Sequence, residues 1–148
     1  MSRESYDDGD IVDILNVTRS IALVGASPNP ARYSHRVMHF MQSCDYRVLP
    51  VNPFAAGEQI LGERVYADLS EIPGPFEMVN VFRRAEAIPE VADETIRLAP
   101  QKRIKFLWLQ LDLYDEAVAR KARAAGLVVV MDRCVKIEYG RLLAHRVS

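Results

Sequence analysis

Residues 20–44 read SIALVGASPNPARYSHRVMHFMQSC, and the succession of residue types along them decides the fold. Residues 21–24 are an unbroken apolar run, the pattern of a strand buried on both faces. Gly25 closes the run, and Pro28 and Pro30 keep the next residues out of a helix. Val37, Phe40, Met41 and Cys44 then recur at i, i+3, i+4 and i+7, which marks one face of an amphipathic helix over about residues 34–44. Ser34 is the candidate N-cap. Strand, small-residue turn and helix in that order place backbone N–H groups and the positive end of a helix dipole at the strand's carboxyl end. Such a turn suits a phosphate.

The same alternation continues along the chain. Ile11, Ile14 and Leu15 fall at helical spacing and predict a short helix over residues 10–17. Residues 46–51, YRVLPV, read as a second strand that Asn52-Pro53 ends. Residues 53–76 are rich in proline and glycine. They predict only a short extended piece at Val65-Tyr66 and one helical turn over 69–72, in place of a regular crossover helix. Residues 78–82 read as a third strand, and 86–99 as a helix with Ile88, Val91, Ala92, Ile96 and Ala99 on one face and Pro89 in its first turn. Residues 104–109 read as a fourth strand. A helix over 114–125 follows, with Asp112 as its cap, Val118, Lys121, Ala122 and Ala125 facing inward, and Gly126 as its C-cap. Residues 127–131 form a fifth strand, and the tail carries Ile137 and Tyr139 in an extended or short helical piece before a basic end. Five apolar runs alternating with helices predict an α/β fold: a Rossmann-like, doubly wound three-layer sandwich on a mainly parallel five-stranded sheet.

The chain has 148 residues, of which 49% are hydrophobic, enough for one domain with a proper core. A single domain over residues 10–148 is expected, with residues 1–9 as a flexible, acidic lead-in unlike a signal peptide. No apolar run approaches the roughly 18 residues of a membrane span. A formal net charge of −1 argues against a general nucleic-acid binder. Cys44 and Cys134 make neither a disulfide framework nor a zinc spacing, and a reducing cytoplasm is the simplest home.

In a doubly wound sheet, ligands bind beyond the carboxyl ends of the strands. Those ends carry Gly25-Ala26-Ser27, Asn52-Pro53-Phe54, Arg83-Arg84, Gln110-Leu111-Asp112 and Asp132-Arg133-Cys134, with Arg32 and His35 at the start of the first crossover helix. Four arginines on one edge of a nearly neutral chain point to a phosphorylated small molecule. The dinucleotide fingerprint G-x-G-x-x-G is absent, since the turn reads G-A-S-P-N-P, and Asn52 replaces the acidic residue that would bind ribose hydroxyls. A nucleotide ligand stays in view, and the missing fingerprint argues against NAD.

The runs IALVGASPNP, RVLPVNP, GERVYADLSEIP, MVNVFRR, LWLQL and VVVMDRCVKIE, in that order over about residues 10–143, resemble the small stand-alone CoA-binding domain proteins. That family is similar in fold to the N-terminal domain of the succinyl-CoA synthetase α subunit. The resemblance implies coenzyme A as the cofactor, bound at the carboxyl edge of the sheet. It assigns Gly25, Ala26 and Ser27 to the turn that holds the phosphates, with Ser34 and its neighbours opening the helix beside it. Asn52 and Pro53 lie next to the adenosine portion, Phe82 and Arg83 flank the cleft, Gln110 and Leu111 stand opposite, and Cys134 belongs to the last strand-end motif. With Arg32 and His35 these are the residues expected to bind the ligand. Three positions depart from the family: Phe54 stands where a lysine is frequent, Asp112 where glycine is usual, and Tyr33 where a proline is expected.

No catalytic constellation emerges. Cys134 beside Arg133 has the makings of a reactive thiolate that pairs with the CoA thiol, but free cysteine is most often a small buried hydrophobe, and that is the expectation here. Cys44 and Trp108 read as core. His35 and His39 share a helix face without a third metal ligand, so His35 is expected to line the cleft and His39 to face solvent, and His145 has no partner spacing. The expected function is a non-catalytic CoA-binding or regulatory module. The alternatives are an NAD(P)-linked oxidoreductase and the CoA-binding subunit of a larger ligase-like complex. A protein partner or homo-oligomer stays open.

Overall fold

In the computed structural model, which describes residues 5–144, the apolar runs pair into a parallel sheet between two layers of helices. In chain order the elements are α1 (Asp8–Val17), β1 (Ser20–Val24), α2 (Tyr33–Ser43), β2 (Arg47–Val51), β3 (Gln59–Ile60), β4 (Glu63–Arg64), β5 (Met78–Val81), α3 (Ile88–Lys102), β6 (Phe106–Leu109), α4 (Glu116–Ala124), β7 (Val128–Val130) and α5 (Val135–Leu142). The sheet order is β2-β1-β5-β6-β7, with every neighbouring pair parallel. The chain runs from β1 outward to β2, then returns to the other side of β1 for β5, so its direction reverses between β1 and β5. This is the Rossmann-like, doubly wound sandwich that the sequence predicts.

Strand alternation divides the core in two. Ala22, Val24, Val79, Val81, Leu107 and Leu109 point to the layer of α3 and α4. Ile21, Leu23, Met78, Phe106 and Trp108 point to the layer of α1, α2 and α5. The irregular crossover between β2 and β5 contributes Leu69, Ile72 and Phe76 to the first of these cores, which explains why it needs no regular helix. It carries the expected helical turn as a 3-10 turn at Leu69–Glu71 and a further 3-10 turn at Pro53–Ala55 that was not expected, and Tyr66 extends alongside Val51 in an isolated parallel bridge.

Several boundaries differ from expectation for local reasons. α1 starts at Asp8, two residues earlier than residue 10, because Asp7 caps it, its side chain accepting from the Gly9 amide at 2.7 Å. Part of the expected flexible lead-in is therefore ordered, and its residues 1–4 lie outside the described residues, as do His145 and the rest of the basic end. Arg32 occupies the N-cap position of α2 with no side-chain cap bond, and Ser34 is buried within the first turn instead of capping it. Asp115 caps α4, accepting from Val118 N at 3.0 Å. Asp112 is no cap: its backbone is left-handed (φ 69°), and its amide donates to Asp132 Oδ1 at 2.7 Å. With α4 starting later, Ala119 turns inward beside Val118 and Ala122, while Lys121 is exposed and pairs with Asp93 at 2.6 Å. α3 runs past Pro100 to Lys102, and it buries Thr95 and Leu98 while Ile96 and Ala99 stay half-buried. The tail is helical as α5.

α1 and α5 are clamped by charge. Arg141 donates to both carboxylate oxygens of Asp8, at 3.1 and 2.9 Å, and to Glu138 Oε1 at 2.7 Å. Glu138 is buried, so it relies on Arg141 and the more distant Arg133 (4.0 Å) for compensation. Hydrogen bonding to Arg141 holds the Asp8 carboxyl below its ordinary value of 3.8. A depressed carboxyl pKa adds stability above the unfolded value and loses it as pH falls through the folded one. Asp8→Asn is therefore expected to lower the urea midpoint at pH 7 and to leave it unchanged at about pH 2, where the carboxyl is protonated in both states.

Candidate functional site

Gly25 ends β1 at the point where the chain reverses. Its φ is +94°, and a Cβ there would stand 2.2 Å from the Phe82 carbonyl oxygen and 2.8 Å from its carbon. Phe82 in turn donates its amide to Val24 O at 2.7 Å. The exits of β1 and β5 therefore touch, and a cleft opens over them. The amides of Gly25 and Ala26 both donate to Val51 O, at 2.9 and 3.3 Å, which ties the same turn to β2. These two amides are thus engaged within the sheet. Ser27 is the first residue of the turn with donors to offer. Its Oγ accepts from Asn29 N at 3.1 Å, leaving the hydroxyl proton to donate elsewhere.

The cleft measures about 1000 Å³ and brings together Gly25, Arg32, Asn52, Pro53, Phe82 and Arg83 of the expected residues. Phe54 and Arg84 also line it, as do Glu86, Ala87 and Glu90 at the start of α3, which the sequence reading did not single out. A signal for them existed: the helix after β5 must begin on this edge, so its first turn faces any ligand there. Asn52 holds the second wall. Its Nδ2 donates to Ala26 O at 2.8 Å and its Oδ1 accepts from Phe54 N at 2.9 Å. One side chain thus fixes both the turn after β1 and the 3-10 turn Pro53–Ala55.

Among the described residues Arg36, Arg64 and Arg103 lack a carboxylate partner, and so do three arginines that share this one cleft. Arg47, Arg97, Arg120 and Arg141 each pair with a carboxylate. Among the described residues, the side chains of Arg32, Arg83 and Arg84 make no ion pair or hydrogen bond. Of the four arginines expected together, Arg133 is the exception. It turns away over the Tyr6 ring (5.2 Å) and approaches Glu138, because Asp132 adopts a left-handed backbone (φ 60°) that redirects the chain into α5.

A second cavity of about 510 Å³ adjoins the cleft and shares Pro53, Arg83 and Glu90 with it. Val24, Val51 and Val91 supply its apolar lining, while Asp68, Asp93 and Glu94 supply carboxylates. Burial, and next the charge of Asp68, raise the Glu94 pKa above the ordinary 4.5.

The remaining expected residues sit apart. Ala26 and Ser34 are buried, and His35 is half-buried outside the cleft lining, with His39 exposed. Gln110 is buried with its Oε1 unpartnered among the described residues. Leu111 and Cys134 line a different cavity of about 410 Å³, against α5. Cys134 is buried there, as free cysteine usually is, and its Sγ lies 3.1 Å from the Tyr33 hydroxyl. Burial and this contact push the Tyr33 pKa up to about 12.

The model of one protein family, the CoA binding domain, matches residues 19–140. The chain belongs to the CoA binding domain family. This CoA-binding domain is 38% identical over 131 residues to uncharacterized protein YneT of Bacillus subtilis (strain 168), a match covering 88% of this chain and 92% of that one. A hypothetical protein from Pyrococcus horikoshii OT3 superposes with a TM-score of 0.86 at 35% identity, over 97% of this chain and all of its own (100%). An acetyl-coenzyme A synthetase 1 of Ca. Korarchaeum cryptofilum shares the fold, with a TM-score of 0.62 at 20% identity over 75% of this chain and 25% of that one. Membership supports CoA binding in general and hence a small-molecule ligand. Among the described residues, no helix of the CoA-binding domain is long and apolar enough to cross a membrane.

Gly25→Ala combines a positive φ with a steric overlap on backbone, whereas Gly57→Ala has a similar φ (+89°) but nothing within 4 Å of the new Cβ. The Gly57 variant is expected to cost about 1–2 kcal/mol, and Gly25→Ala clearly more, as read from urea unfolding of the two variants side by side.

Proposed function

We propose that the chain binds coenzyme A, or an acyl-CoA, across the carboxyl edge of its sheet, and that it acts as a binding or regulatory module without catalysis of its own. The observation that carries this reading is the set of three arginines in one cleft, Arg32, Arg83 and Arg84, without partners among the described residues. Leaving three cations unpaired in a chain of net charge −1 makes sense when an anion completes them. CoA supplies a pyrophosphate and a 3′-phosphate.

The two cavities support one direction for the ligand. The phosphates lie against the arginines, the Ser27 hydroxyl and the uncapped first turn of α2, whose amides at Tyr33 and Ser34 form the positive end of the helix dipole. The adjoining cavity, which Arg32 and Arg84 do not line, takes the base, with valines for its faces and Asp68 or Glu94 accepting from its exocyclic amine. The pantetheine arm then runs the other way, past Phe82 toward Gln110 and Leu111. Gln110 Oε1, buried without a partner, is an acceptor for one of its amide N–H groups.

The reading is tested by thermal-shift titration with CoA, acetyl-CoA, NAD, NADP and ATP in parallel. A ligand at 100 times its dissociation constant adds about 2.7 kcal/mol of stability. Only the CoA species are expected to raise the melting temperature. Arg83→Ala should weaken CoA binding by about 10-fold or more, the equivalent of a lost hydrogen bond to a charged group, and Ser27→Ala by less. Stabilisation by NAD or NADP with none by CoA would instead support an oxidoreductase.

A further inference from the structure

Phe54 is 94% exposed, which is unusual for a large apolar side chain, and it lines the arginine-rich cleft. We infer that its ring is the stacking platform for the purine base of the ligand, an inference that rests on the CoA-binding reading. Folding gives no reason for the ring to be there. Among the described residues it belongs to neither hydrophobic core and to no aromatic or cation–π pair. Burial would have gained stability that this position forgoes.

The backbone beneath the ring is nonetheless held on every side. Pro53 fixes its own φ. Asn52 Oδ1 accepts from Phe54 N at 2.9 Å, Asn52 N donates to Tyr66 O at 2.9 Å, and Ala55 N donates to Asn52 O at 3.1 Å. Ala55 is buried and anchors the far side of the turn. An apolar ring on a rigid mount is organised for contact before any ligand arrives, which lowers the ordering cost of binding.

The position of the ring selects the part of the ligand that meets it. Pro53 lines both the arginine cleft and the carboxylate-rich cavity, so Phe54 stands beside their junction. Phosphates occupy the arginine side. The moiety entering the adjoining cavity is flat and carries a π-face, and a phenyl ring without a hydrogen-bonding group recognises it by stacking. Base–aromatic stacking tolerates substitution by another aromatic and not by a small aliphatic residue.

The test is calorimetric titration of wild type, Phe54→Ala and Phe54→Trp with CoA, 3′-phosphoadenosine 5′-phosphate and 4′-phosphopantetheine. With the ring almost wholly exposed, the unliganded variants should keep the wild-type melting temperature. Phe54→Ala is expected to weaken CoA and 3′-phosphoadenosine 5′-phosphate by about 5- to 150-fold, the equivalent of about 1–3 kcal/mol. 4′-Phosphopantetheine should change by less than about twofold, since it has no base to stack. Phe54→Trp should retain both adenosine ligands, with its fluorescence quenched as they bind. If wild type binds CoA and Phe54→Ala binds it equally well, the stacking inference is overturned and the CoA reading survives. An equal loss for 4′-phosphopantetheine also overturns it, because the ring would then touch the pantetheine or acyl arm. If wild type binds none of the three ligands, both fall together.

Discussion

At the centre of the sheet, the backbone leaving β1 passes so close to the backbone leaving β5 that a methyl group on Gly25 would overlap the Phe82 carbonyl. Three strands are tied at this one turn: Phe82 donates to Val24 O, while Gly25 and Ala26 donate to Val51 O. The chain departs from β1 and β5 toward opposite layers, α2 on one side and α3 on the other. Nothing in the topology then covers the seam, and a cleft is the geometric result. The glycine is required by contact here. At Gly57, Gly62, Gly74 and Gly126, which are also left-handed, an added methyl group would meet nothing within 4 Å.

Charge is distributed unevenly over this frame. Around the outer helices, some cations pair across elements: Lys121 with Asp93 across α3 and α4, Arg141 with Asp8 and Glu138 across α1 and α5. At the cleft, Arg32, Arg83 and Arg84 stay without partners among the described residues, although Glu86 and Glu90 line the same cleft, and Asp68, Asp93 and Glu94 gather one cavity away. Exposed ion pairs contribute little to stability. Leaving the three arginines unpaired therefore destabilises the fold little, and they stay available to an anion. Cys134, by contrast, lies buried on the α5 side beside the half-buried Tyr33, where the thiol packs as a small apolar group.

The fold was legible because its signal is redundant. Runs such as LVVVM at residues 127–131 and FLWL at 106–109 are too apolar and too short for anything but buried strands. The cleft was legible where a residue directly follows a strand, as Gly25, Asn52 and Arg83 do. It was less so where a turn redirects the chain. Asp112 and Asp132 both adopt left-handed backbone and hydrogen-bond to each other, which moves Arg133 and Cys134 away from the cleft. Pattern reading has no access to that choice, since aspartate fits caps, turns and left-handed positions equally well. The occupancy of the Gly25 and Ala26 amides was hidden for a related reason: it depends on the register between β1 and β2, a long-range property. Phe54 was visible as a residue just past the second strand and as a departure from the resembled family, and its exposure gives that departure a physical meaning.

The central claim is that a CoA molecule lies along the carboxyl edge of the sheet, with its phosphates between the turn after β1 and the arginines after β5. Backbone amide NMR shifts recorded while CoA is titrated into the ¹⁵N-labelled chain test it most directly. The account predicts the largest changes at Ser27, Tyr33, Ser34, Phe54 and Phe82 to Arg84, with smaller ones at Gln110 and Leu111 and none along α1 or the outer edge of β7. Changes centred on α1 and β7, or no saturable change at any amide, would contradict it.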